Sequence, residues 1–434
     1  MASGVPLNVN VRGDGSRPGA SYTVPLVALT SLFFMWGFLT CLNDILVPHL
    51  KAIFALSYFQ AMLIQFAFFI AYAVMSIPSS RVVKRLGYKG SIIVGLATMA
   101  VGCVMFFPAA GHRSYELFLV ALFVLASGIT LLQVSANPFV AILGKPETAS
   151  SRLTLTQAFN SLGTTVAPQF GSMLILATAV KASGELAKLT PAELEAYRAA
   201  EAASVQTPYL GLAIALAVLA IAMSLFKLPV IQQDTSDAGA HDASDDRASA
   251  WRYPRLVLGA LAIFTYVGAE VSIGSFLVSF FGDPHIAGLG EAEAARYVSF
   301  YWGGAMVGRF LGTVTLRRFK PNQVLLMHAA AAATCVLVAM LVSGTPAMWA
   351  ILAVGLFNSI MFPTIFTLAI EGLDRHTSQG SGILCTAIVG GALLPLVQGR
   401  LADAVGVQHA FVIPVLCYAY IAWYGVRAPA LNSR

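Results

Sequence analysis

Asp44 and Glu270 are two carboxylates set deep inside apolar stretches, 226 residues apart. An ionisable side chain at the centre of a bilayer costs about 2.5 to 3.5 kcal/mol on insertion scales, so such acids as a rule mark ion or proton pathways. Asn43 adjoins Asp44, and Pro48 follows one turn later, where its ring breaks a backbone bond and favours a bend. A second group is made of amides: Gln65, Gln133, Asn137, Gln157, Asn160 and Asn358. An amide both donates and accepts, as a sugar hydroxyl does. Taken singly, each reads better as an interhelical hydrogen bond worth roughly 0.6 kcal/mol. Gln157 with Asn160 at i, i+3 and Gln133 with Asn137 at i, i+4 form polar stripes that suit a wet cavity better than lipid. Tyr72, Tyr266, Tyr301 and Trp302 offer flat faces for stacking on a pyranose, or for packing. Arg309 is expected near a helix end, snorkelling to the interface.

The elements that position these groups follow from composition. Of 434 residues, 58% are hydrophobic and 11% charged, and the mean hydropathy is +0.77, a balance that excludes a soluble globular protein of this size. The net charge of +6 comes from Lys and Arg at helix ends, which argues against a nucleic-acid partner. Five cysteines lie in apolar runs without metal-ligand spacing. Residues 1–21 lack the apolar core of a cleaved signal, so the first apolar helix is expected to be retained.

Runs of roughly 20 apolar residues centre near residues 36, 69, 99, 126, 165, 217, 267, 305, 332, 358, 388 and 417, giving twelve expected transmembrane helices in an all-α protein. The expected organisation is a tail at 1–24, a six-helix bundle at 25–228, a polar linker at 229–252, a second bundle at 253–427 and a tail at 428–434. Eighteen Lys and Arg fall on the side of the termini and seven on the other, which puts both termini in the cytoplasm. Between the fifth and sixth spans, Thr190-Pro191-Ala192-Glu193 reads as a capping box opening an amphipathic helix on the outer surface. The halves overlay at a nearly constant offset. Asp44 falls on Glu270 at 226, Pro138 on Pro363 at 225, and Gly163 on Gly390 at 227. A parallel duplication of this kind predicts alternating access around a midplane site.

With basic turns after the second and eighth spans, the chain resembles the major facilitator superfamily. Its loop signature is partly kept as Ser80-Arg81-Val82-Val83-Lys84-Arg85-Leu86-Gly87-Tyr88-Lys89, with Lys84 in place of the acid that the usual charge-linked inner lock employs. Leu42-Asn43-Asp44-Ile45-Leu46-Val47-Pro48, Ser135-Ala136-Asn137-Pro138-Phe139, Gln157-Ala158-Phe159-Asn160-Ser161 and Pro363-Thr364-Ile365-Phe366 resemble the fucose–proton symporters and the related bacterial glucose/galactose transporters. That resemblance implies a coupling role for Asp44. Fucose symporters carry a second acid where this chain has Gln133 and an amide where it has Glu270, so the glucose/galactose branch is favoured.

The resulting expectation is a monomeric, multi-pass carrier in a bacterial inner membrane that imports a hexose by cation symport. Asp44 would be the principal coupling site and Glu270 a second site or sugar ligand. Asn43, Gln65, Gln133, Asn137, Gln157, Asn160, Tyr266, Trp302 and Asn358 would contact substrate. A proton, which needs only a carboxylate, is favoured over sodium, for which Asp44 would be the metal site. No cofactor or enzyme motif is present in the spans. An uncoupled uniporter, or a carrier of fucose, fructose or an amino sugar, is the alternative.

Overall fold

The computed structural model describes residues 23–54, 58–112, 114–174, 189–226 and 249–432. Within these ranges side chains are described except at 39–40, 42–54, 58–65, 168–174, 198, 201–205, 291–292, 295 and 432. All the described secondary structure is helical. In the first half, α1 (Thr23–Phe54) is the first span and α2 (Tyr58–Gly111) contains the second and third. They reverse at Gly87, whose φ of 70° lies where a side chain would be strained. α3 (Tyr115–Ile142), α4 (Ala149–Leu174) and α5 (Pro191–Leu225) complete that half. The second half comprises α6 (Pro254–Gly282), α7 (Glu291–Arg318) and α8 (Pro321–Leu341). Its tenth span is α9 (Thr345–Asn358) with α10 (Met361–Ile370), its eleventh α11 (Thr377–Thr386) with α12 (Gly390–Val405), and its last α13 (Val412–Arg427). Eight described helical stretches are long and apolar enough to cross a membrane. Most of the expected linker lies outside the described residues.

The capping box is present, with Thr190 Oγ1 accepting from Glu193 N at 3.4 Å and Glu193 Oε2 accepting from Thr190 N at 2.9 Å. The helix it opens is not a separate surface helix. It runs without a break into the sixth span, and at 1.5 Å per residue its 35 residues cover about 52 Å, well beyond the roughly 30 Å hydrocarbon core.

Within each half the helices pack as equivalent pairs, α1 on α4 and α6 on α12. A Cβ placed on Gly163 would lie 2.2 Å from Phe34 O, and one on Gly390 would lie 2.1 Å from Phe264 O. These contacts set the register of the repeat more firmly than the acids do. Gly163 and Gly390 are 227 residues apart, but Phe34 and Phe264 are 230 apart. α6 therefore lies over α1 one turn away from the register that pairs Asp44 with Glu270. Trp36 comes level with Tyr266, Thr40 with Glu270, and Asp44 with Gly274. One pair of acids in uniformly apolar helices cannot fix a register; backbone contact at a glycine can.

The halves meet where α4 packs on α7 and α2 on α11, with α3 also on α11 and α4 on α10. Toward the face that carries the basic turns, the contacts are hydroxyl bonds. Ser150 and Thr367 share one at 2.6 Å, Ser151 Oγ donates to Thr313 O at 2.7 Å, and Ser381 Oγ donates to Val134 O at 2.9 Å. Arg317 Nε adds a bond to Ser151 Oγ at 3.3 Å. Among the described residues no ion pair joins the halves, since Arg255–Glu371 and Arg309–Glu270 both lie within the second. This agrees with the absence of an acid at Lys84.

Replacing Gly163 by Val forces two backbones apart and should destabilise the protein by about 1 to 3 kcal/mol, whereas Gly211→Ala, with nothing within 4 Å of its Cβ, should not. Thermal unfolding in detergent should show a lowered midpoint for the first alone. Equal midpoints for Gly163→Val and the parent would contradict the α1–α4 packing.

Candidate functional site

A cavity of about 460 Å³ lies between the halves, within the range of roughly 300 to 1,000 Å³ typical of small-ligand sites. The first half lines it with Trp36 of α1, Phe68, Phe69 and Tyr72 of α2, Gln133 of α3, and Gln157 and Asn160 of α4. The second half contributes Tyr266, Val267, Glu270, Val271, Gly274 and Ser275 of α6, Trp302 and Arg309 of α7, Phe362 and Pro363 of α10, and Ile388. One wall is thus amide and aromatic, and the other carries the charges.

The amide wall is braced from behind. Gln133 Nε2 donates to Tyr72 Oη at 3.1 Å, and Asn137 Nδ2 donates to Gln133 Oε1 at 3.1 Å. Asn137 is fully buried and does not line the cavity; it orients Gln133 instead, and its own Oδ1 has no partner among the described residues. Asn160 Nδ2 donates to Phe33 O at 2.9 Å, which fixes α4 to α1 beside the cavity.

On the opposite wall, Tyr266 Oη donates to Glu270 Oε1 at 2.8 Å, one helical turn away on α6. Arg309 Nη2 stands 4.0 Å from the same oxygen. The guanidinium also donates through Nη1 to Ser161 Oγ of the first half and through Nε to Ser359 O at 3.3 Å. That carbonyl is available for a reason written in the sequence. Pro363 stands four residues further on and has no N–H, so Ser359 O has no helical donor. Gly308, beside Arg309, lets α7 approach closely enough to use it: a Cβ there would lie 2.5 Å from Leu356 O.

Arg309 is the functional candidate that sequence reasoning misplaced. It does not snorkel at a helix end; its side chain is 15% exposed and faces the cavity. Pro363 signals an orphaned carbonyl at Ser359 but not which donor takes it. Trp36 was missed as well, because one tryptophan in an apolar helix looks like packing. Asn358 and Tyr301 depart from expectation in the other direction. Tyr301 Oη donates to Glu270 O at 3.2 Å, Asn358 Nδ2 donates to Tyr301 Oη at 2.8 Å, and Tyr418 Oη donates to Asn358 Oδ1 at 2.7 Å. Both residues are fully buried behind the cavity and hold α6, α7, α9 and α13 together. Gln133, Gln157, Asn160, Tyr266, Glu270 and Trp302 do converge on the cavity as expected. Asn43 and Asp44 lie in α1 and Gln65 in α2, but their side chains fall outside the described residues.

The arrangement offers a polar solute donors and acceptors on one side, a carboxylate and guanidinium on the other, and indole and phenyl faces between them. Residues 27–388 match the family model of the Major Facilitator Superfamily. The chain is 55% identical over 426 residues to the glucose/galactose transporter of Brucella abortus, covering 98% of this chain and 99% of that one. It is 39% identical over 406 residues to the L-fucose-proton symporter of Escherichia coli, covering 92% of each. A solved Major Facilitator Superfamily transporter, FucP in the outward conformation, superposes with a TM-score of 0.87 at 37% identity, over 94% of this chain and 99% of that one. The chain belongs to the Major Facilitator Superfamily and is a membrane transporter, not an enzyme.

Proposed function

We propose that this carrier imports a hexose of the glucose/galactose kind by proton symport across the bacterial inner membrane, as a monomer with both termini in the cytoplasm. Residues 25–228 and 253–427 act as the two rocking units joined by the linker at 229–252. The observation that carries the reading is the division of the cavity, with Gln133, Gln157 and Asn160 on one wall facing the Glu270–Arg309 pair on the other. Amides suit hydroxyls that both donate and accept, and Trp36 and Trp302 supply faces for a pyranose ring. The names of the Brucella abortus relative and of the 45% identical putative glucose/galactose transporter of Helicobacter pylori support the hexose. Gln133, in place of an acid, disfavours fucose.

Asp44 and Glu270 are the coupling acids. Coupling requires that the ion and the sugar together favour reorientation more than either does alone. Glu270 meets that requirement, because neutralising it removes the anion opposite Arg309, which is bonded to both halves. The proton is preferred because the Escherichia coli relative is named a proton symporter; sodium held by Asp44 and Asn43 is the alternative ion. Accumulation against a gradient separates this symporter from a uniporter.

Asp44→Asn should abolish concentrative uptake of labelled galactose into proteoliposomes while leaving equilibrative exchange. Wild-type accumulation by the variant would remove Asp44 from coupling. Gln157→Ala should weaken hexose binding by about 1 to 3 kcal/mol, the scale of a buried hydrogen-bonding group left unpaired. Isothermal calorimetry measures this directly, and an unchanged affinity would assign Gln157 to packing.

A further inference from the structure

Pro138 in α3 and Pro363 in α10 are equivalent positions of the repeat, 225 residues apart, and each deprives the carbonyl four residues earlier of its helical donor. The two orphaned acceptors are Val134 O and Ser359 O. Val134 O is taken across the interface by Ser381 Oγ at 2.9 Å. Its counterpart, Ser359 O, is taken from within its own half by Arg309 Nε at 3.3 Å. The residue equivalent to Ser381 is Thr154, 227 residues earlier, the offset that also relates Gly163 to Gly390. Thr154 is fully buried, and its hydroxyl has no partner among the described residues. It lies at the matching place: a Cβ built on Gly312 would be 3.7 Å from Thr154 Cγ2 and 2.1 Å from Ile360 Cγ2, next to Ser359.

We propose that the two prolines create a pair of equivalent acceptors for a two-armed hydroxyl gate on the face of the basic turns, with the Ser381–Val134 arm engaged and the Thr154–Ser359 arm held off by Arg309. Ser381 and Thr154 are positioning residues of this gate. Each arm joins opposite halves through one neutral hydrogen bond, so each engaged arm favours the closed face by about fivefold. By occupying Ser359 O, Arg309 keeps this pair at one engaged arm, beside the Ser150–Thr367 and Ser151–Thr313 bonds that also join the halves on that face. The gate is independent of which sugar is carried and rests only on the alternating access of the superfamily.

The test uses the full chain in lipid nanodiscs, with fluorophores introduced as unnatural amino acids at the exposed Arg85 and Arg318, one in each half. Single-molecule energy transfer then reads the ratio of open to closed molecules on that face. Ser381→Ala should raise the ratio about fivefold. Pro138→Ala, which gives Val134 O a competing helical donor, should raise it by less, and the double variant should be no more open than Ser381→Ala alone. Thr154→Val should leave the ratio unchanged with Arg309 present. Arg309→Lys retains a charge beside Glu270 but has no donor at the ε position; because it also loses the cross-half bond to Ser161, the second arm is read as the effect of Thr154 within that variant. Adding Thr154→Val to it should raise the ratio about fivefold, whereas adding Thr154→Ser should not. The first arm is refuted if folded Ser381→Ala leaves the ratio unchanged, or if Pro138→Ala opens the face further in the absence of the Ser381 hydroxyl. The second is refuted if Thr154→Val shifts the ratio equally with Arg309 and with Lys at that position.

Discussion

A guanidinium inside a bilayer must be matched by an anion and by acceptors, and Arg309 is matched from three directions. Glu270 supplies the charge at 4.0 Å, Ser161 an acceptor from the opposite half, and Ser359 a carbonyl from the break in the tenth span. At an effective dielectric near 20, opposite charges at that distance attract by about 4 kcal/mol, and removing one partner of a buried pair typically costs about 3 to 5 kcal/mol. Much of the second half serves to keep this pair in place. Gly308 brings α7 against α9, Tyr301 holds the Glu270 carbonyl, and Asn358 holds Tyr301. A change of charge at Glu270 is therefore felt by a residue bonded to both halves.

The fold was legible because hydrophobic run length and the polar break near residue 240 are insensitive to detail. The amide wall was legible for a related reason: Gln157 and Asn160 repeat on one helical face, and lipid does not tolerate that. What could not be read depends on pairing between distant residues. Arg309 was placed at a helix end because long basic side chains usually reach one. Asn358 was taken as a ligand because nothing in its neighbourhood in sequence reveals that Tyr301 and Tyr418 use both ends of its amide. The Thr190 capping box was correctly placed, but a cap marks where a helix begins and says nothing of where it ends.

Internal duplication turned out to be most informative where it is imperfect. Gly163 with Gly390 and Pro138 with Pro363 keep their places in the repeat because they govern backbone contact and backbone bonding, which side-chain substitution elsewhere does not replace. Acids are free to drift. Glu270 lies level with Thr40, so its charge has no counterpart on α1 at that level, and only the second half carries the arginine to meet it. The resulting asymmetry separates the labour: one half recognises hydroxyls through amides, and the other holds the charge that responds to an ion.

Proton movement driven by sugar alone tests the coupling most directly. When galactose or glucose is added to sodium-free proteoliposomes holding the wild-type carrier, lightly buffered and with no gradient imposed, the external medium should become more alkaline as protons enter with the sugar. The change should be absent with Asp44→Asn and suppressed by a protonophore. Uptake that leaves external pH unchanged and concentrates sugar only under an inward sodium gradient would contradict proton symport.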